Sequence, residues 1–423
     1  MKLSIAETRT VPTVKVEFNG KKIIFHSKYD PLNEAEAWLK KGLREINEIE
    51  AIIVVGLGAG YHIQQLAETI PGQKIVVIEF NDSYFSWFHN SIFHRDLSSY
   101  KNVVLKRFNG LSSLEKETIF TSVNSRNLLI HKSGLDIIPD EYKGIKEALE
   151  DLQFQQNSFQ HQVGNLKTNF EKNSMLDDQG IGNLSSKYAG KPMILVSAGP
   201  SLDKQLPLLK KIRDQNEFVI GAVGTAIKPL LKAKIIPDFF AIIDPNPATF
   251  TQMTEIVLPE TPLFYLSTAY HETILLHKGP RRIVYQEGYA AAEKRAIEKY
   301  EPVIQTGGSV ATALLDIMVR LGGKSVALVG QDLAFTDGKS HANAAHAQQK
   351  VKEVQGAKKV INYYQTAEVH TARNFTIYRK WFEKYQETHT ELALYNCTEG
   401  GAYIHHWKHI SLQEYYLKYS SDN

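Results

Sequence analysis

Twice in this chain an unbroken apolar run of strand length feeds straight into a turn of small residues and then into a helical period. Ala51-Ile52-Ile53-Val54-Val55 meets Gly56-Leu57-Gly58-Ala59-Gly60, and Met193-Ile194-Leu195-Val196 meets Ser197-Ala198-Gly199-Pro200-Ser201-Leu202. A strand with no polar alternation is buried on both faces, and when helices follow such strands the sheet is parallel and covered by crossover helices. Two such starts, far apart in a chain of 423 residues, point to two α/β domains.

The first pattern runs from roughly residue 50 to 130. A helix is expected from about Tyr61 to Thr69, a second strand at Lys74–Glu79, and short strands at Asn102–Leu105 and Asn127–Ile130. Residues 14–47 read as a hairpin followed by an amphipathic helix around Glu34–Leu39. Residues 140–187 are polar and helix-forming, a long connecting helix and linker that ends at Gly190-Lys191-Pro192. The second pattern then gives strands at Met193–Val196, Phe218–Gly221, Phe239–Ile243 and Ser325–Val329, with helices at Leu202–Arg213, Ala226–Ala233 and Ser309–Leu321. Between Ile243 and Ser309 the chain reads as turn-rich, and Gln331–Gln365 as a long polar loop of the kind that tends to carry function. A helix at Thr371–Glu387 and a short tail helix after Ser411 follow. The expected organisation is an N-terminal Rossmann-like domain (1–140), a helical linker (141–189), a central α/β domain (190–397) and a short helical C-terminal tail (398–423).

Hydrophobic residues make up 43% and charged residues 22% of the chain, the balance of a packed globular protein. A formal net charge of +3 gives no reason to invoke nucleic acid or a membrane surface. Cys397 is the single cysteine, so no internal disulfide forms and a reducing compartment is permitted. The opening residues lack the apolar core of a signal peptide, and no run approaches the roughly 18 apolar residues of a membrane span. A soluble, cytoplasmic protein is expected, with oligomeric state left open.

Five strand ends carry small or acidic clusters. The first is the Ser197–Leu202 turn, where Gly199 permits an unusual backbone angle, Pro200 suits a first helical turn and Ser201 can cap or donate. The others are Gly221–Ala226, with Gly224 and Thr225; Asp244-Pro245-Asn246-Pro247; Thr306-Gly307-Gly308-Ser309; and Gly330-Gln331-Asp332. Ligands of open α/β sheets bind outside such strand ends, and helix N-termini there favour anions. In the first pattern, Gly56, Gly58 and Gly60 with Glu79 resemble a weak nucleotide-binding turn, although strand-to-helix turns need glycine for their own sake. No His and Cys run has the spacing of a zinc site, so no metal centre is expected.

The runs KPMILVSAGPSL, IPDFFAIIDPNP, TGGSVATALLDIMVRLGGKSVALVGQDLAF and NCTEGGAYI, with the GLGAGYH turn near the N-terminus, resemble the motility accessory factor (Maf) flagellin glycosyltransferases. The resemblance implies two Rossmann-like parallel-sheet domains, the central one related to 6-hydroxymethylpterin diphosphokinase and, more distantly, to sialyltransferases that use CMP-sialic acid. It implies that Gly199, Pro200, Ser201 and Leu202 hold CMP, that Thr306, Gly307, Gly308 and Ser309 lie near the donor phosphate, and that Gly330-Gln331-Asp332 is a further site strand end. His370, just before a helix, falls where the sialyltransferases carry a catalytic histidine; His341 and His346 in the preceding loop are its rivals.

The implied activity moves a nonulosonic acid of pseudaminic or legionaminic type from its CMP derivative to Ser or Thr hydroxyls of flagellin. Such an enzyme must hold the nucleotide while an oxocarbenium-like centre forms, and a histidine or carboxylate must take the acceptor proton. Backbone N–H groups of Gly199–Ser201 and Gly307–Ser309 are expected to meet the departing phosphate. Asp332 or Asp244 offers hard oxygen ligands for a divalent cation such as Mg²⁺, or a bond to the sugar. The competing readings are a pyrophosphokinase that transfers diphosphate from ATP to a pterin alcohol, and a non-catalytic flagellar accessory protein.

Overall fold

The computed structural model describes residues 1–42, 51–122, 127–343, 345 and 357–420, and the chain divides into two compact units, Met1–His161 and Gln162–Asn423. The first unit opens with an antiparallel meander of β1 (Lys2–Ala6), β2 (Thr13–Phe18) and β3 (Lys21–Ile24). Asn19 and Gly20, both at positive φ (48° and 73°), make the two-residue hairpin turn between β2 and β3, a geometry that favours this pair of residues. After α1 (Pro31–Gly42) comes a four-stranded parallel sheet of β4 (Ile52–Val55), β5 (Ile75–Glu79), β6 (Val103–Arg107) and β7 (Leu128–Ile130), in the order β6-β5-β4-β7. Its helices are α2 (Tyr61–Thr69), α3 (Asp82–His89), α4 (Ile92–Leu97), α5 (Ser113–Ser122) and α6 (Lys132–Leu135).

Strand β4 shows why its sequence has no polar alternation. Ile52 and Val54 join one apolar cluster with Val14, Phe25 and Tyr84, while Ile53 and Val55 join another with Ile78, Phe108 and Leu149. Successive side chains point to opposite faces, so a strand covered on both must be apolar throughout. The boundary between the two units falls within the 32-residue helix α7 (Lys143–Ser174), the expected connecting helix.

The second unit follows α8 (Ser185–Tyr188) and is built on nine strands, all parallel where they pair: β8 (Met193–Val196), β9 (Val219–Val223), β10 (Phe239–Ile242), β11 (Leu263–Leu266), β12 (Arg281–Gln286), β13 (Val303–Ile304), β14 (Ser325–Val329), β17 (Ala393–Asn396) and β18 (Lys408–His409). Their order is β13-β12-β11-β10-β9-β8-β14-β17-β18, and a separate antiparallel ribbon pairs β15 (Lys358–Ile361) with β16 (Glu368–Thr371). The helices are α9 (Leu202–Gln215), α10 (Ile227–Lys232), α11 (Phe250–Met253), α12 (His271–Leu276), α13 (Ala290–Lys299), α14 (Val310–Arg320), α15 (Arg373–Thr388) and α16 (Leu412–Tyr419). Met193, Ile194, Leu195 and Val196 of the central strand have no exposed surface, a burial worth roughly 1.5–3 kcal/mol for each fully buried large side chain. Helix α16, opened by a Ser411–Glu414 capping box, seals this core: the Tyr415 hydroxyl donates to the Met193 carbonyl at 3.1 Å.

The stretch from Ile243 to Ser309 corrects its turn-rich reading, because it contributes β11, β12 and β13. These strands have four, six and two residues, and the helices between them six and ten, too few for either period to stand out. Part of the long loop read from Gln331 is likewise ordered, as β15.

Candidate functional site

In the second unit the sheet order reverses between β8 and β14, the first strand and the seventh in sequence, and both run the same way. The crevice above such a reversal is where open α/β sheets bind ligands. The Ser197–Leu202 turn leaves β8 there, and Gly330-Gln331-Asp332 leaves β14 beside it.

These two segments lock together. The Ser201 hydroxyl donates to Asp332 Oδ2 at 2.6 Å, and the Ser201 N–H reaches both carboxylate oxygens at 3.3 Å. Thr336 donates to the other oxygen, and the Ser197 hydroxyl donates to Gln331 Oε1. Gly199 donates its N–H to the Gly330 carbonyl at 2.7 Å. A Cβ at Gly199 would lie 2.1 Å from Asp332 Oδ2, so only glycine fits. Gly401 closes the other side, where a Cβ would lie 2.0 Å from the Asp332 carbonyl oxygen, and Ala402 N–H donates to that oxygen at 2.8 Å. Burial raises the Asp332 carboxyl above the usual range, opposed by the Ser201 and Thr336 hydrogen bonds. The acid is a sequestered hub that shapes the turn. Ser201 spends its hydroxyl on it and makes no cap hydrogen bond to α9, while Leu202 is fully buried beneath and Pro200 half-buried.

At Thr306–Ser309 the pattern is similar. Ser309 caps α14 through a reciprocal box with Thr312. The Gly307 and Ser309 N–H groups donate to Thr312 Oγ1, and the Gly308 N–H to Thr306 Oγ1. The backbone donors expected to meet a phosphate at Gly199–Ser201 and Gly307–Ser309 are therefore already paired within the protein. Helix α15 packs over this turn: a Cβ at Gly307 would lie 2.4 Å from Trp381 Cγ, and one at Gly308 would touch the Tyr378 ring at 3.6 Å. Burial raises the Tyr378 hydroxyl pKa, Asn374 opposes it, and the Asp244 charge adds to it, which puts Asp244 in the same neighbourhood. Near its N-terminus α15 also meets the Asp332 segment, with the Phe375 and Phe335 rings 5.7 Å apart. Asp244 Oδ1 accepts from the Asn246 backbone and side-chain N–H groups at 2.9 and 2.8 Å, and Gly224 packs against Ile242, with Thr225 beside it in a short 3₁₀ turn.

His370 sits in β16, and its carbonyl accepts from Phe335 N–H at 2.8 Å. Its Nδ1 is buried with no hydrogen-bond partner. His341 lies in a loop pinned to the Ser197–Leu202 turn, where Ala342 donates to the Ala198 carbonyl and Asn343 to Asp203. Burial lowers the His341 pKa, and its Nδ1 is 2.9 Å from Ser340 Oγ. His346 lies outside the described residues.

In the first unit Gly56, Gly58 and Gly60 all have positive φ and form the turn after β4. Glu79, expected to face a ligand, points inward: its carboxylate accepts from the Leu57 N–H at 3.2 Å and the Asn81 N–H at 3.0 Å. Burial pushes its pKa up to about 7 against those hydrogen bonds. Beneath the same turn three histidines converge, His26, His62 and His131, each buried. Burial holds the first two well below the usual imidazole range and His131 at about 4.

Residues 160–338 match the family described as 6-hydroxymethylpterin diphosphokinase MptE-like, and residues 5–112 match the glycosyltransferase Maf N-terminal domain. The chain thus carries a Maf-type N-terminal domain followed by an MptE-like domain. Among solved structures it is similar to a Maf glycosyltransferase from Magnetospirillum magneticum AMB-1, at 15% identity and a TM-score of 0.48, over 95% of this chain and 69% of that one. A hydrogen sulfide-producing enzyme from Fusobacterium nucleatum aligns at 10% identity and a TM-score of 0.16, over 76% of this chain and 94% of that one. No curated protein matches.

Two features of this chain are not evident from its sequence. Asn165, Asn169 and Asn173 recur every four residues along α7 and so share one helix face. Asn169 donates to the Pro245 and Thr268 carbonyls and Asn173 to those of Ser267 and Ala269, at 2.8–3.3 Å, while Asn165 reaches Asn246. The ladder fixes the loops after β10 and β11; the spacing was its signal, obscured in a polar helix. The histidine trio is the second: the three come from distant segments that no linear spacing connects. Mg²⁺, by contrast, is poorly served by the acids named for it. Asp332 has both oxygens engaged and Asp244 has one held by Asn246. Among the described residues no carboxylate cluster gathers there, nor is any helix long and apolar enough to cross a membrane.

Proposed function

We propose that this chain transfers a nonulosonic acid, of pseudaminic or legionaminic type, from its CMP derivative to serine or threonine hydroxyls of flagellin, with the donor seated above the β8–β14 reversal. The observation that carries the reading is the interlocked pair of turns, Ser197–Leu202 and Gly330–Asp332, at the one place in this sheet where its order reverses. The match of residues 5–112 to the glycosyltransferase Maf N-terminal domain supports the glycosyltransferase class; the donor follows from the likeness of the Gly199-Pro200-Ser201-Leu202 turn to CMP-binding turns, and the flagellin acceptor from the resemblance to the motility accessory factors.

In this reading the rigid turns shape a floor for the nucleotide. The donor phosphate lies toward the N-terminus of α14, whose dipole favours the charge that grows as CMP leaves. The bond from the anomeric carbon to the acceptor oxygen forms as the bond to the CMP phosphate breaks, and CMP departs with the electron pair. The hydroxyl proton passes to the imidazole of His370, in β16 just ahead of α15. Asp244 and Asn246, braced by the asparagine ladder, are placed to bond the sugar. No step is routed through Mg²⁺.

The MptE-like match keeps the pyrophosphokinase reading in second place, since such a reaction calls for Mg²⁺ held by carboxylates and phosphates. Incubating the purified protein with recombinant flagellin and CMP-pseudaminic or CMP-legionaminic acid, then weighing intact flagellin, separates the readings. Mass added in steps of one nonulosonic acid is expected. Unmodified flagellin with both donors, together with consumption of ATP and a pterin alcohol, would replace this reading with the kinase.

A further inference from the structure

We infer that His26, His62 and His131 form a binding site for one divalent transition-metal ion of the zinc class, set beneath the Gly56–Gly60 turn of the N-terminal unit. Each residue offers a ring nitrogen, and the three nitrogens lie within 4.8 Å of one another. They arrive from separate elements: His26 follows β3, His62 opens α2 and His131 follows β7. The place is the order reversal of the smaller sheet, between β4 and β7.

Packing alone does not account for this arrangement. The residues are 3%, 0% and 4% exposed, and His26 Nδ1 and Nε2, His62 Nδ1 and His131 Nδ1 are all buried with no hydrogen-bond partner. Buried polar atoms are almost always satisfied, and a cluster of exceptions facing one another asks for a missing partner. A cation supplies one to all three rings at once. The outer contacts also suit ligands. His62 Nε2 is 3.2 Å from the Gly56 carbonyl, which keeps the proton there and leaves Nδ1 free. Glu34 stands 4.0 Å from His26 Nδ1, on the side away from Gly58, while His26 Nε2 lies close to the Gly58 backbone. A carboxylate behind a ligating imidazole is a common supporting arrangement.

The donor set chooses the ion. Three neutral imidazoles suit Zn²⁺ and its neighbours Co²⁺ and Ni²⁺, whereas Mg²⁺ and Ca²⁺ prefer oxygen. Zn–N bonds of about 2.0–2.1 Å require the nitrogens to close in, and so require the stacked His62 and His131 rings, now 4.4 Å apart, to turn. Gly58 makes room: a Cβ there would lie 2.9 Å from both His26 Nε2 and His131 Cε1, and 3.1 Å from His62 Cε1. Three protein ligands leave a fourth position for water or an anionic group. The bound ion would tie the meander, the first helix of the α/β layer and β7 together.

The test uses the full chain without a polyhistidine tag, freed of metal by chelator and titrated with Zn²⁺ in a calorimeter. One ion per chain, with a rise in Tm, is expected. Co²⁺ on the unaltered chain is expected to give the intense visible absorption of a tetrahedral nitrogen site, discharged by Zn²⁺. His62→Phe keeps a ring in place and is expected to lose the ion, the Tm rise and the cobalt band. A wild-type chain with no stoichiometric Zn²⁺ and no cobalt band would overturn the site, as would a folded His62→Phe variant that still binds one ion. The cobalt readout needs no variant, so the site stays testable if His62→Phe does not fold.

Discussion

The Ser201 hydroxyl and the Asp332 carboxylate meet at 2.6 Å across 131 residues of sequence, and neither is open to solvent. Removing the hydroxyl leaves a buried acceptor short of a donor. Ser201→Ala is expected to cost about 1–3 kcal/mol in urea unfolding and to weaken CMP binding in calorimetry. Asp332→Asn keeps an oxygen acceptor and is expected to be milder than Asp332→Ala. Unaltered stability and CMP affinity in Ser201→Ala would show that this bond does not organise the turn.

Gly307 and Trp381 allow a sharper test of the α15 contact. An alanine methyl at 307 would occupy space held by the indole, and overpacking of this kind typically costs about 1–3 kcal/mol. Gly307→Ala should shift tryptophan fluorescence and lower donor affinity. Adding Trp381→Ala should recover part of the lost stability, whereas strictly additive losses would place the strain elsewhere.

His370→Ala is expected to slow transfer by about 10²–10⁴-fold while CMP affinity stays near wild type, because in the proposed mechanism the turns, not this histidine, hold the nucleotide. His341→Ala, in the loop pinned to the Ser197–Leu202 turn, serves as the control. Full turnover in His370→Ala with loss in His341→Ala would move the base to His341.

Glu79 makes a pH prediction for the first unit. Its pKa rises from the model-compound value of 4.5 to about 7 on folding, so the folded state favours the protonated acid. Its contribution to stability is therefore fully present below about 4.5 and lost as pH rises through about 7. Glu79→Gln, which cannot ionise, should flatten this part of the stability-versus-pH curve. An unchanged slope across that window would assign it to other groups.

The larger framework was legible because it follows from period and burial. Runs such as Ile52–Val55 and Met193–Val196 have no other stable place than a doubly covered strand. What escaped was short or non-local. Strands β11 to β13 are separated by helices of only two or three turns, and the edge strand β18 is two residues long. Residue type and position single out Ser201, Asp332, Gly307 and Ser309, but do not reveal which groups they bond. A motif rich in N–H groups suggests donors aimed outward, whereas the fold turns most of them onto Asp332, Gly330 and Thr312. His26, His62 and His131 are far apart in sequence: the pairing of β4 with β7 brings the His62 and His131 segments together, and the His26 ring, from beyond β3, packs against both.

Asp332 is held from three directions in time as well as in space. During synthesis the Ser197–Leu202 turn emerges first, but its carboxylate partner follows 131 residues later, and the Gly401-Ala402 segment that seats that carboxylate comes later still. Strand β8 can pair early with β9, yet its other neighbour, β14, is not available until most of the chain has been made. Long-range pairings of this kind form late because loop-closure entropy must be overcome before they stabilise anything. The interlock of the two turns therefore sets only after Gly401 and Ala402 have been made, and a product lacking residues beyond 400 would keep most of its sheet strands while the Ser197–Leu202 turn stays unset.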